Sequence, residues 1–265
     1  MIKVTIPALP AAQAALSGYG RQIPFATALA IHRTAHIARR AGVEEMRRQF
    51  DRPTPTVLNS LFVRPSRVSK KAIGSGGSVP SSELAVKDLA FGSTIKDYSP
   101  SVPEPGSMAE KIGHQFSGGQ RVRKGLERGL QRGGYIAADE FLAPGPDVAL
   151  DQYGNLPRGF VQRVLSALLV QRDPTANATS SRRSRRNAKR AGSMFWSAGS
   201  TKKGGLRRGL WARDAAGNPL LLLVVIGTPN YRRRIDLHRI VQDAVNANFS
   251  AQFDAALKQA IASAK

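Results

Sequence analysis

The sequence predicts an α+β fold: a small, mostly antiparallel sheet with long N-terminal and C-terminal helices, extended loops and a basic arm. Two observations carry the helices: apolar residues recur at helical spacing from about Phe25 to Phe50 and again from about Ile235 to Ala264. A third carries the sheet. Leu210–Arg213 and Leu220–Ile226 are short apolar runs on either side of Asp214-Ala215-Ala216-Gly217-Asn218, which reads as a hairpin. The chain is read as a single structural domain over 1–265, with the arm at about 174–192 and the C-terminal helix at about 235–264.

Met1–Ile6 alternates as a short strand would, before a Pro- and Ala-rich connection. In the first long helix Phe25, Ala28, Ile31, Ala35, Ala38 and Met46 form an apolar stripe. Arg33, His36, Arg40 and Arg47 line a second, cationic face, which reads as solvated or as docked on an acidic neighbour or nucleic acid. Pro53 and Pro55 end the helix. Leu61-Phe62-Val63 then reads as a strand, paired with Glu83–Leu89 across a Gly/Ser tip at Gly74–Ser78. Tyr98–Gly106 reads as an extended, polyproline-like connector.

After Gly118-Gly119 a short helix is expected over Arg121–Gln131, with Val122, Leu126 and Leu130 inward and a strongly positive outer surface. Phe141–Leu150, with Pro144 and Pro146 among glycine and acid, reads as loop. Within Asp151–Leu169 the sequence DQYGNLP supplies a turn at Tyr153-Gly154-Asn155 and a helix start at Pro157. Phe160, Val161, Val164, Leu165, Leu168 and Leu169 then form one apolar face.

From Pro174 to Arg213 there are 11 Lys or Arg and no Asp or Glu. Ser180–Arg190, which holds Arg182, Arg183, Arg185, Arg186, Lys189 and Arg190, has no apolar side chain larger than alanine. It therefore reads as an exposed arm that orders only on a polyanion or a partner. Ser193–Ala198 reads as a strand, and Leu220–Ile226, apolar throughout, is expected to be covered on both faces. The expected cover is the C-terminal helix, whose Leu237, Val241, Val245, Phe249, Phe253, Leu257 and Ile261 recur every four residues. At about 45 Å it is longer than a small sheet needs, so Phe249, Phe253, Leu257 and Ile261 are candidates for a contact between subunits.

The charge of +22, from 40 Lys and Arg against 18 Asp and Glu, implies attraction to polyanions or acidic protein surfaces. Zero cysteines exclude a disulfide framework and Cys-based metal sites. The N-terminus, broken by Pro7 and Pro10, does not read as an export signal, and no apolar run approaches the roughly 20 residues of a membrane-spanning helix.

His32 and His36 have the spacing of two zinc ligands, but Arg33-Thr34-Ala35 between them lacks a metalloprotease glutamate, and Arg33 and Arg39 repel a cation. His114 and His238 read as structural, and the glycine clusters match no nucleotide-binding loop. Asp139, Glu140, Asp147 and Asp151 are the densest group of carboxylates. They fall among Pro and Gly rather than on strand ends, so they read as a solvated loop or as an acidic docking surface for a basic neighbour. Trp196 and Trp211 read as core rather than as platforms for bases. No catalytic residue, metal, cofactor, small-molecule substrate or membrane partner is expected.

The run GGQRVRKGLERGLQRGGYIAADEFLAPGPDVALDQYGNLPRGFVQRVLSAL, Gly118–Leu168, resembles proteins encoded in the tail modules of tailed bacteriophages and prophages. IPFATALAIHRTA (Ile23–Ala35) and FDRPTPTVLNSLFVRPS (Phe50–Ser66) resemble the opening helix and following segment of the same family. A weaker similarity, to the minor tail or tail completion protein Z group of lambda-like phages, lies in the opening helix and the C-terminal third. The resemblance implies a virion component without an active site, assembled in the host cytoplasm into the tail or the head–tail junction. It would form a homo-oligomeric ring among other tail or neck proteins, with possible non-specific contact with genome DNA. Charge alone supports the alternative of a non-specific nucleic-acid-binding protein using the Arg-rich arm.

Overall fold

The computed structural model describes residues 2–3, 22–65, 80–87, 107–190, 194–202 and 204–263. Both the Gly74–Ser78 tip and the Tyr98–Gly106 connector lie outside them. Where the sequence reads as one domain, the chain gathers into two compact units. Unit 1 takes both chain ends, Met1–Gly119 and Arg232–Lys265, and unit 2 is the continuous stretch Gln120–Tyr231. The long terminal helices and the antiparallel sheets make the chain α+β.

Unit 1 is built on a pair of long helices. Helix α1 spans Gln22–Gln49; the last helix of the chain, Leu237–Ala262, starts at Asp236, whose carboxylate accepts from Arg239 N. β1 (Ile2–Lys3) precedes α1, and between the two helices come α2 (Pro55–Leu58), β2 (Leu61–Pro65), β3 (Ser82–Val86) and α3 (Met108–Ser117). The strands pair antiparallel in the order β1-β3-β2, with Ile2 opposite Leu84 and Leu61 opposite Val86. Ser107 caps α3 by accepting from Glu110 N at 3.1 Å, a Ser-x-x-Glu start.

The two long helices run antiparallel. Ala26 and Ala30, early in α1, are fully buried against Ala256 and Ala260, late in the last helix, while Ala38 and Met46 share a core with Val241 and Ala244. Small side chains let the backbones approach, and the buried face of α1 takes in half of the predicted stripe. Ile31, Ala38 and Met46 of that stripe are buried, joined by Ile23, Ala26, Thr27, Ala30 and Thr34, whereas Phe25 is 36% exposed.

Unit 2 holds α4 (Gly125–Arg132), β4 (Phe141–Pro144), α5 (Arg158–Ala167), a 3-10 turn at Pro174–Ala176, α6 (Arg182–Arg190), β5 (Phe195–Ser197), β6 (Gly209–Arg213) and β7 (Pro219–Ile226). Its four strands are antiparallel in the order β4-β7-β6-β5, with Phe141 opposite Ile226, Leu210 opposite Leu223 and Phe195 opposite Trp211. Phe141–Pro144, expected as loop, is thus a strand, because β7 supplies a ladder that a Pro-containing edge strand can join. The residues covering β7 are Leu126 and Leu130 of α4 with Phe160 and Val164 of α5, not the C-terminal helix as expected. That helix, α7, belongs to unit 1.

Gly154 adopts φ 74° in the turn before α5, as the sequence reading requires. Helix α5 stops at Ala167, where Val170 N donates to Leu165 O at 2.9 Å, and leaves Leu169 at φ 60° and 61% exposed, outside the expected apolar face. Trp211 is buried with its indole N–H donating to Arg207 O at 2.8 Å, and Trp196 packs edge-on against Tyr135 at 5.3 Å between centroids.

Gly209 has φ 153°, and a Cβ there would stand 2.1 Å from Leu223 O across the ladder. Because both tryptophans of the chain, Trp196 and Trp211, lie in unit 2, their fluorescence reports its unfolding. Gly209→Ala is expected to destabilise unit 2 by about 1–3 kcal/mol, read from tryptophan fluorescence in a urea titration. Ala30→Leu is expected to cost unit 1 a similar ~1–3 kcal/mol by forcing the helix pair apart, read by far-UV circular dichroism.

Candidate functional site

Ser180–Arg190, expected to stay irregular without a partner, is the helix α6 over most of its length. Local bonds account for this: Ser184 N donates to Ser181 Oγ at 3.2 Å and Thr179 N donates to Ser184 Oγ at 3.0 Å, which satisfies the helix start. Arginine, alanine and lysine also have high helix propensity. Arg182, Arg183, Arg185 and Arg186 are exposed, and no ion pair among the described residues involves them. Lys189 and Arg190 lie in the helix by their backbone, and their side chains are outside the described set. A row of cations on a helix with no apolar residue beyond alanine can attract a polyanion but offers nothing to bury.

The carboxylates are arranged the opposite way. Glu127, on α4, is 2% exposed and takes four hydrogen bonds. Arg121 gives it two, at 2.8 and 2.5 Å, Leu142 N gives one at 3.0 Å and Lys124 N one at 2.8 Å. Burial pushes its carboxyl up, and the Arg121 guanidinium and the two backbone N–H groups outweigh that, holding it below the usual carboxylate range. The Arg121 and Arg123 guanidiniums each lie 4.8 Å from the Phe141 ring centre. The expected all-positive surface around α4 is therefore partly folded inward, with one positive charge neutralised.

Three of the four candidate docking carboxylates, Glu140, Asp147 and Asp151, also serve local structure. Glu140 pairs with Arg208 and accepts from Ala137 N at 2.6 Å. Asp147 accepts from Leu221 N at 2.7 Å, which extends the β4–β7 edge. Asp151 closes the Tyr153-Gly154-Asn155 turn, accepting from Tyr153 N at 2.9 Å and Asn155 N at 2.8 Å. Asp139 is exposed, and its backbone carbonyl accepts from Thr228 Oγ1 at 2.7 Å.

Of the candidate intersubunit residues on α7, Phe249, Phe253 and Leu257 pack on the alanine seam of the same chain, with the two rings stacked at 6.1 Å. Ile261 is 40% exposed. The 26 residues of α7 make about 39 Å of helix, and the 28 residues of α1 run beside it, so the length that reads as excess in the sequence has its cover within unit 1.

His32 and His36 meet at 3.2 Å between Nε2 atoms. Burial first, then His32, Arg39 and Arg40, hold His36 below the ordinary imidazole value. Among the described residues no group of three or more His, Asp or Glu side chains could hold a metal ion, and no helix is long and apolar enough to cross a membrane. Set against protein-family models, curated proteins and solved structures, the chain matches none.

Glu127→Gln is expected to cost unit 2 about 3–5 kcal/mol, because Arg121 is left buried beside an uncharged partner. A carboxyl whose folded pKa is depressed stabilises above its unfolded value, about 4.3, and the contribution is lost as pH falls through the folded value. Tryptophan-monitored urea midpoints of the native chain should therefore fall as pH drops below about 4.3, and Glu127→Gln should flatten that part of the profile.

Proposed function

We propose that this chain is a structural component of a tailed-bacteriophage virion, a tail completion, minor tail or head–tail junction protein that assembles as a ring of copies. The supporting sequence features are Gly118–Leu168, Ile23–Ala35 and Phe50–Ser66, which resemble tail-module proteins. The observation that carries the reading is the sorting of charge: most carboxylates of unit 2 are engaged within the chain, while α6 displays arginines that no ion pair among the described residues neutralises. A chain with +22 and most of its described acids occupied looks to neighbours for its counter-charge. In such a joint, apolar burial supplies the energy and charge guides approach and register. No catalytic step is part of the proposal.

The exposed arginines of α6 also favour a second reading, non-specific nucleic-acid binding through phosphates, with log K falling by about 0.9 per phosphate contact for each unit of log salt. One variant separates the two: Arg182, Arg183, Arg185 and Arg186 all changed to alanine. Under the virion reading, complementation with this variant yields particles that electron microscopy shows to be tailless or unjoined. Normal infectious particles containing it would discard a role for α6 in the joint. Under the second reading the purified variant loses retention on a duplex-DNA column, and its salt slope is smaller than that of the native chain.

A further inference from the structure

A second basic feature lies in unit 1, away from the arginine helix in sequence and different from it in kind. The last third of α1 and the start of α2 enclose an open cleft of about 590 Å³, within the size range of ligand and peptide sites. Arg39, Arg40 and Arg47 line it from α1 with the single acid Glu44 among them, and Val43, Pro55 and Leu58 provide apolar wall. On a helix, positions three and four apart are neighbours, about 5–6 Å between Cβ atoms, so Arg39, Val43 and Arg47 form one row and Arg40 stands beside it.

The arginines are unequally committed. Arg39 donates from Nε to Leu61 O at 2.7 Å, which fixes its guanidinium and leaves the terminal nitrogens without a partner among the described residues. Arg40 is exposed and makes no hydrogen bond or ion pair among them. Arg47 pairs with Glu44 at 2.7 Å, but both side chains are more than half exposed, and such a surface pair is worth little. The apolar wall is anchored, since Val43 and Leu58 pack on the core that contains Met46 and Leu61.

We infer that this cleft binds an acidic, partly apolar peptide segment from another protein. Its carboxylates would pair with Arg40 and Arg47 and a side chain between them would lie on Val43 and Leu58. Bare phosphate has no use for the apolar wall, which is why a peptide fits this cleft better than a nucleic-acid backbone does. The inference rests on the virion reading only in taking the donor to be a neighbouring particle protein, because all the acids of unit 2 but Asp139 are engaged in their own fold.

The test uses the full chain and a fluorescein-labelled, end-blocked hexapeptide of sequence Glu-Leu-Glu-Glu-Leu-Glu, followed by anisotropy. Arg40→Glu and Arg47→Gln are each expected to weaken binding about tenfold, the loss of one charge-assisted contact. A peptide with Gln for Glu, or with Ser for Leu, should bind more weakly than the parent, and the four-alanine variant of α6 should bind the parent unchanged. Circular dichroism checks that the variants fold, and Arg40→Ala, a good helix former at an exposed site, repeats the test if the reversal does not. Equal affinity of native chain, Arg40→Ala and Arg47→Gln overturns the assignment. So does loss of binding in the α6 variant, or displacement of the peptide by inorganic phosphate or duplex DNA at lower concentration than by unlabelled peptide. These readings come from the purified chain, so their failure leaves the particle experiment independent.

Discussion

The buried carboxylate of Glu127 is the contact on which unit 2 depends. It ties the Arg121–Lys124 approach and the first turn of α4 to the strand β4. A charge at 2% exposure persists only if its bonds replace water fully, and four donors do so here. Its place then fixes the others. Leu126 and Leu130 turn onto the sheet, and Phe141 settles between two guanidiniums rather than against solvent.

The same economy of acids runs through the rest of the chain. Asp147 completes a strand edge, Asp151 a turn and Asp236 a helix start, so carboxylates act chiefly as acceptors for backbone N–H groups. The cations are left to face outward, in two chemically different settings. On α6 they stand on a helix with no apolar company. Beside α2 they rim a cleft with an apolar wall. Attraction without burial gives loose, salt-sensitive contact, whereas charge around an apolar floor gives register and selectivity.

Much of the fold was legible because its signals are local. The period of α1, the turn before α5 and the β6–β7 hairpin each announce themselves within about 20 residues. What the sequence concealed depends on distant partners. Phe141–Pro144 is a strand only because β7 pairs with it, and Asp147 is an acceptor only because Leu221 comes to it. The stripe on α1 was legible only in part: Ile31, Ala38 and Met46 are buried, but alanine and threonine fill much of the rest of the packed face, where close approach outweighs side-chain size. α6 was misread because composition argued against burial, while serine capping and propensity were enough to order it. Ser107-Met108-Ala109-Glu110 is a start signal in plain sight for a helix that was not expected. The exposed arginines were legible; the arginine cleft, assembled across the Pro53–Pro55 break, was not.

Unit 1 closes with the two ends of the chain, and unit 2 is an uninterrupted insert between them. During synthesis at about 5–20 residues per second, α1 emerges and then waits on the order of ten seconds for α7. Throughout that interval its alanine seam faces water or a chaperone, and everything unit 2 needs leaves the ribosome before α7 does. The insert is thus free to mature first, and the half of the protein that begins the chain is the half that must finish last.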